Sequence, residues 1–338
     1  MAPPTLGVKL PKNRDGGIAV PYDMSAAEWG AHVEDLGYES IWTTEGWGSD
    51  AFVDLGDVAT ATDDLLVGTA IVNVFSRTPA VLAMASTTLA EKSGDRMILG
   101  LGASHERRIE DFHGMDYHRP VRRSHEVIEI LKLMTRSDDD TVAYDGQLLS
   151  IQDVPPMDRE FPIYNAALGS ANLRMTGRLA DGWIPHLVPV QQLEPSFETI
   201  AETAEERGRD PDEITVCPQI LAAVSDEDPD AAKRKIRSFL ASYVGRMPAY
   251  RHNFAETFPE ETEAVHEAWQ DDEDAAIDLV TDEMVEAVGV AGTTDEARSR
   301  MNEIIGMDVI DRPLVYAAEI GGREFIHQTI EALSPTHL

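Results

Sequence analysis

The chain has 338 residues, 43% of them apolar, so it can bury a large core and does not fall in the disordered class. Its 61 acids against 28 bases leave a formal net charge of -33 spread along the whole length, which argues against nucleic acid as a partner. No apolar run approaches the roughly 20 residues of a membrane span, and Met1-Ala-Pro-Pro-Thr5 lacks a charged stretch followed by a hydrophobic one, so a cytoplasmic protein without membrane contact is expected.

Strand-like and helix-like segments alternate from the first residues. Thr5–Leu10 reads as a strand, and Ser25 with Glu28 forms a capping-box signature for a helix to Leu36, closed by Gly37. Glu39–Thr43 is the second strand, 51–62 a helix and Leu66–Val72 the third strand. A helix follows Pro79 to Lys92, Met97–Leu101 is the fourth strand, and Pro120 opens a helix to Met134. These strands are continuously apolar and about thirty residues apart, the pattern of parallel strands with helical crossovers covered on both faces.

The rhythm breaks at Ser137–Ile151, where Asp145-Gly146 signals a hairpin turn. It resumes with strands at Pro162–Ala166, Gly182–Pro185, Ile214–Val224 and Pro313–Ala318. Helices are expected from Ser170, over 191–207 and 229–244, and at the end to Leu333. An acidic helical stretch over 248–278 interrupts once more, with helices expected over 282–287 and 295–305. Eight strands and eight crossovers predict a single α/β domain over 1–338: a (β/α)8 TIM barrel with insertions after the fourth and seventh β-α units, at about 137–160 and 245–285. A doubly wound sheet is the competing architecture.

In such a barrel the chemistry lies where strands end. That filter selects Lys9-Leu10, Thr44-Glu45-Gly46, Asn73 to Arg77, Ala103-Ser104-His105, Leu168-Gly169-Ser170, His186 and Glu319 to Gly322. Leu99-Gly-Leu-Gly-Ala-Ser-His105 begins like a dinucleotide fingerprint, but His105 stands in place of the third glycine and the motif follows the fourth strand. It is either a tight turn or backbone kept bare for a flat ring or a phosphate. His105, His113, His118 and His125 share no helical face, and a metal site is not expected. His105 alone sits at a strand end, where proton transfer and simple polar lining are both open. Gly169-Ser170 opens a helix whose free amides suit either a phosphate or ordinary capping. Cys217 lies in the apolar run Ile214-Thr-Val-Cys-Pro218 and reads as core packing; as the sole cysteine it excludes an intramolecular disulfide. There is no nucleophile elbow and no P-loop.

Gly68–Ser104 and Ile163–His186, with Arg77-Thr-Pro79, Thr88-Leu89, the run Ser93–Gly102 and Ala180-Asp-Gly182, resemble the luciferase-like family of flavin- or deazaflavin-dependent oxidoreductases. The resemblance implies a TIM-like barrel with a bulged third strand. Its deazaflavin members carry there a non-prolyl cis peptide, matching Ala70-Ile71, that props the ring. It also implies an acid–histidine pair at the end of strand two, matched by Glu45, but with Gly46 in place of the histidine. The loop after strand four supplies a proton donor in some members, at the position of His105, and the Gly169-Ser170 turn matches the loop that holds the cofactor phosphate.

Together these readings make Glu45, His105 and His186 the catalytic candidates. Glu45, Ala70, Ile71, Asn73, Ala103, Ser104, Ala167, Leu168, Gly169 and Ser170 are the cofactor-binding candidates. The resemblance implies an enzyme moving a hydride between coenzyme F-420 and a small organic substrate, such as a methylene-pterin, an alcohol or an enone, within a homodimer. An FMN-dependent monooxygenase and a non-catalytic cofactor-binding relative are the alternatives. Lys9, where methylene-pterin reductases tend to carry an acid, weighs against that substrate.

The charge excess also points to a halophilic setting, because molar salt shortens the Debye length to about 3 Å and screens self-repulsion. The melting temperature should therefore rise steeply with KCl concentration; a melt indifferent to salt contradicts the halophilic reading.

Overall fold

The computed structural model describes residues 5–15, 18–21, 24–317 and 323–338. The first half runs β1 (Gly7–Lys9), β2 (Lys12–Asp15), β3 (Ile18–Pro21), α1 (Ala26–Asp35), β4 (Ser40–Thr43), α2 (Ala51–Ala61), β5 (Leu66–Thr69), β6 (Val72–Asn73), α3 (Pro79–Ser93) and β7 (Met97–Gly102). A π-helical turn (Arg108–Phe112), α4 (Pro120–Arg136), β8 (Val142–Asp145), β9 (Ser150–Val154), β10 (Ile163–Asn165), α5 (Ser170–Leu179), β11 (Gly182–Trp183) and α6 (Val190–Glu205) follow. The remainder is β12 (Thr215–Val216), β13 (Gln219–Val224), α7 (Pro229–Arg246), α8 (Pro248–Ala255), α9 (Pro259–Asp271), α10 (Glu273–Asp278), α11 (Asp282–Glu286), β14 (Gly289–Gly292), α12 (Thr294–Ile305), β15 (Leu314–Tyr316) and α13 (Arg323–Ala332).

The barrel wall is wholly parallel. β1 lies between β15 and β4, and β5, β7, β10, β11 and β12 follow in order around the ring. β12 and β13 are one stretch of chain broken at Pro218, which offers no N–H to a ladder. β12 pairs with β11 and β13 with β15, so this broken strand closes the ring, and His186 bridges to Gln219 beside the break. The uninterrupted strand expected over Ile214–Val224 is corrected accordingly. Two further elements escape the sequence pattern. The hairpin β2–β3 follows the first strand, and β14, short and bounded by glycines, adds to the free edge of β13.

Inside the ring, Trp42, Ala70, Ile98, Tyr164, Ile184, Cys217 and Leu314 pack together, one from each of seven wall segments. Trp42 is fully buried and stacks on Tyr164 at 6.0 Å. Gly68 makes room for it, since a Cβ there would sit 2.3 Å from the Trp42 ring. Cys217 is buried in this interior, and burial pushes its thiol well above the usual range, leaving it an inert packing group.

Below the ring, residues preceding the strands are tied by ions. Arg312 donates to both carboxylate oxygens of Glu39 and to the Tyr164 hydroxyl, and Asp181 accepts from Lys132, Arg136 and the Ile163 amide. The first excursion is the antiparallel hairpin β8–β9, with Gly146–Leu149 as its turn. In the second, α8–α11 pack on α7, held by Arg234 to Asp274 and Asp278 and by Arg237 to Asp282. Asn253 of α8 donates to the Leu187 carbonyl, which seats this insertion beside the loop after β11. Among the described residues no helix is long and apolar enough to cross a membrane.

Gly100 tests this packing, because a Cβ there would lie 1.8 Å from the Thr69 carbonyl oxygen of the neighbouring strand, whereas nothing lies within 4 Å of one built on Gly56 in α2. Gly100→Ala should cost about 2–3 kcal/mol or more in denaturant unfolding through forced backbone shifts. Gly56→Ala should raise stability by about 0.5–1 kcal/mol through helix propensity. A neutral Gly100→Ala contradicts the packing described.

Candidate active site

The site begins with an irregularity in the third strand. Val67 opposes Met97 and Val72 opposes Leu101, so five steps along the third strand match four along β7, a one-residue bulge. The Ala70-Ile71 bond within it is cis, as the family resemblance implies. The bulge is pinned to strand two: the Ala70 amide donates to the Thr43 carbonyl, the Glu45 amide to the Ile71 carbonyl, and the Thr44 hydroxyl to the Ala70 carbonyl at 2.6 Å. On its other side Thr69 exchanges two hydrogen bonds with Gly100, its hydroxyl donating to the carbonyl and accepting from the amide. The bare backbone of Leu99-Gly-Leu-Gly102 thus lets the bulge approach, a role neither of its two sequence readings contained.

Glu45 sits at the rim with both oxygens accepting from Arg77, whose Nη2 is 2.5 Å from Glu45 and from Asp50. The hydrogen bond to Glu45, although opposed by burial, raises the guanidinium pKa further, so Arg77 is a fixed cation and Glu45 a hydrogen-bond acceptor. Asn73 is fully buried and shapes its own turn, its Oδ1 accepting from the Phe75 and Ser76 amides and its Nδ2 donating to the Ser76 hydroxyl.

After β7 the chain turns sharply through Ser104, at φ 59°. The Ser104 hydroxyl is buried without a hydrogen-bond partner, while its carbonyl accepts from the Tyr117 hydroxyl. His105 heads the next helical turn, where Nδ1 accepts the Arg108 amide; the ring proton then resides on Nε2. Burial and the charges of Arg108 and Arg107 push His105 down to about 4, so at neutral pH it is an uncharged imidazole. Arg108 reaches back over the strand-two loop, 5.5 Å from the Trp47 ring, and Trp47 packs on Phe112 at 4.8 Å. His113 comes with them: its Nε2 is buried and unpartnered, and burial, against the pull of Glu45, lowers its pKa.

The loop after β10 is braced from within the barrel. Asn165 donates to Asn172 and Thr176, Asn172 donates to the Ala166 carbonyl, and the buried Trp183 indole donates to Ala167. Ala167 and Leu168 are thereby fixed, and Gly169 and Ser170 start α5 on the surface with no side chain capping it. Exposed first-turn amides of this kind bind anions.

His186 faces a separate wall. Phe239 and Tyr243 of α7, Tyr250 of α8 and Tyr316 of β15 surround it with ring centroids 5.5–6.1 Å away, and Lys9 lies 3.5 Å over Tyr316. Burial, helped by Lys9, pushes His186 down to about 3, and its Nδ1 has no partner. Burial also raises the Tyr250 pKa. The His186 loop follows β11 and the Ser104-His105 turn follows β7, so both stand at the C-terminal end of the same parallel ring.

The structure therefore brings Glu45, Ala70 and Ile71 into direct contact, with Ala103, Ser104 and His105 on the adjacent strand end and His186 across the mouth. Glu319 to Gly322 lie outside the described residues. Sequence reasoning missed Arg108, His113, Tyr117, Phe239, Tyr243 and Tyr250. Four of these stand on helical segments rather than at strand ends, and the signal available for Arg108 was a doublet of arginines directly after the strand-four loop.

A protein of Mycobacterium tuberculosis provisionally named a coenzyme F-420-dependent oxidoreductase is 30% identical over 298 residues, 81% of this chain and 86% of its own. Among solved structures, the coenzyme F-420-dependent tetrahydromethanopterin reductase of Methanopyrus kandleri superposes with a TM-score of 0.75 at 23% identity, covering 98% of both chains. An F-420-dependent secondary alcohol dehydrogenase bound to an F-420–acetone adduct gives 0.72 at 18% identity, covering 98% of this chain and 99% of its own. These two likenesses establish the TIM-barrel fold. The family described as luciferase-like monooxygenase matches residues 13–308, and with the bulged third strand and the rim built upon it, this chain belongs to that luciferase-like family.

Proposed function

We propose that this chain is an oxidoreductase that uses the deazaflavin coenzyme F-420 on a small organic substrate. The observation that carries the reading is the one-residue bulge at Ala70-Ile71, locked to Thr43, Thr44 and Glu45 on one side and to Gly100 on the other. The residues fit such a group. A flat ring meets small, immobile backbone at the bulge and at Ala103, and a phosphate tail meets the exposed, uncapped start of α5 at Gly169-Ser170. The named F-420 dependence of the mycobacterial relative supports the deazaflavin over FMN.

When bound, the deazaflavin supplies or accepts the hydride; the chain supplies position and polarity. Glu45, Ala70, Ile71, Ser104, Ala167, Leu168, Gly169 and Ser170 line the cofactor, and Asn73 and Ala103 support that lining. Glu45 and Arg77 form a rigid polar rim. His105 and His186 present neutral imidazoles, so an oxygen of the substrate is met by N–H donors rather than by imidazolium ions. Alcohols and methylene-pterins are the substrate types that relatives of this fold bring into view, and an enone is a further small acceptor of the same hydride chemistry. A cytoplasmic homodimer adapted to high salt is part of the same reading.

Titrating the apoprotein separately with F-420 and FMN decides the cofactor: deazaflavin binding without FMN binding is expected. The reverse result favours a luciferase-like monooxygenase, and deazaflavin binding without turnover on any substrate favours a non-catalytic relative. Glu45→Gln should weaken deazaflavin binding or turnover about tenfold or more, the size of a lost charge-assisted hydrogen bond at the rim. The pH profile of turnover should lack an inflection near the ordinary histidine value of about 6.5. Wild-type behaviour of Glu45→Gln removes that carboxylate from the site.

A further inference from the structure

The chain has more than two acids for every base, and most of its inward-turned arginines find oxygen partners. Arg77 holds Glu45 and Asp50, Arg136 holds Asp181, and Arg312 holds Glu39. Arg123, whose buried Nε also lacks a hydrogen-bond partner, lies over the Phe75 ring at 4.9 Å; the other departure is Arg108. It is half-buried at the mouth, its Nε is enclosed without a hydrogen-bond partner, and no carboxylate pairs with its guanidinium among the described residues. The rim carboxylate Glu45 already spends both oxygens on Arg77. A guanidinium stays charged under any biological condition, so an unpaired one withdrawn from water is costly unless an anion completes it.

Position 46 explains how it comes to be there. A Cβ built on Gly46 would lie 3.8 Å from Arg108 Nη2 and 3.9 Å from its Cζ, so the guanidinium rests against the space that a side chain at residue 46 would enter. Trp47 supports it from the neighbouring residue, 5.5 Å away. Trp47 in turn packs on Phe112 at 4.8 Å, so the guanidinium is flanked by aromatic rings. A permanent cation beside the Trp47 and Phe112 rings matches a ligand with a planar apolar body and an anionic oxygen at one end.

We infer that Arg108 forms the oxyanion-holding part of a substrate subsite, and that the substrate is a small planar carboxylate whose body lies against Trp47. The inference rests on the oxidoreductase reading for calling the ligand a substrate. The anion subsite itself can be read without cofactor. Recognition consists of charge-assisted hydrogen bonds from the guanidinium N–H groups to the carboxylate, with no covalent step.

The test uses the full-length apoprotein in a fixed concentration of KCl, titrated with benzoate and with its neutral counterpart benzamide, by calorimetry and by tryptophan fluorescence. Wild type should bind benzoate in preference to benzamide, with a fluorescence change that Trp47→Phe abolishes. Arg108→Gln should weaken benzoate binding about tenfold or more and leave benzamide unaffected, whereas Arg108→Lys should retain part of the preference, as expected for loss or replacement of a charged donor. An equal response to both probes in wild type, or benzoate binding unchanged in Arg108→Gln, overturns the inference. F-420 titration of Arg108→Gln separates the two proposals: unchanged cofactor affinity with lost benzoate binding assigns Arg108 to the substrate. Failure of wild type to bind F-420 while the benzoate preference persists overturns the oxidoreductase reading alone. Circular dichroism melts of both Arg108 variants, coincident with wild type, show that the loss is local.

Discussion

The close approach of Thr69 to Gly100 is the contact on which the rest of the upper barrel depends. Two strands meet there with no space for a single methyl group, and Thr69 closes two hydrogen bonds across the gap. Because the third strand carries one residue more than its neighbour, the surplus is taken up as a bulge at Ala70-Ile71. Strand two then finishes against this bulge through Thr43, Thr44 and Glu45, and Glu45 in turn fixes Arg77. A backbone constraint between two wall strands thereby sets the position of a charged rim two strands away.

The two ends of the barrel treat polar groups differently. Beneath it, Arg312, Glu39, Tyr164, Asp181, Lys132 and Arg136 are linked by ion pairs and hydrogen bonds, with Arg136 Nε the one atom of this group left buried without a partner among the described residues. At the mouth, Ser104 Oγ, Arg108 Nε, His113 Nε2 and His186 Nδ1 are buried without partners. Satisfied networks stabilise and specify a fold, whereas unsatisfied buried donors carry a free-energy cost that a ligand can remove. The distribution matches the division of labour in a parallel barrel, with stability at the N-terminal ends of the strands and binding at the C-terminal ends. Neutral histidines at His105 and His186 fit the same picture, since low-dielectric surroundings disfavour their charged forms.

Much of the fold is legible in the sequence because local signals and tertiary structure agree. The Ser25–Glu28 capping box, proline at the first turn of α3 and α4, and apolar strands of regular spacing all reappear as read. Reading fails where structure depends on pairing rather than pattern. Pro218 splits a strand that looks continuous, and β14 is recruited by the free edge of β13 with only four residues of its own. In the site, strand-end residues such as Glu45, Ser104 and Gly169 could be selected by the barrel rule, whereas Ala70 and Ile71 entered through the family resemblance. The aromatic wall could not, because Phe239, Tyr243 and Tyr250 arrive from helices whose docking is decided by contacts such as Asn253 to Leu187. The state of His105 was also hidden, since it depends on burial of the ring in the folded loop and on the nearby charges of Arg108 and Arg107.

The most direct measurement is a crystal structure of this protein soaked with F-420. The deazaflavin ring is predicted to lie on the Ala70-Ile71 bulge with its phosphate at the Gly169-Ser170 amides and Glu45 at its edge. A ring seated elsewhere in the mouth, or a phosphate held away from the start of α5, would contradict the proposal that the bulge is the cofactor platform.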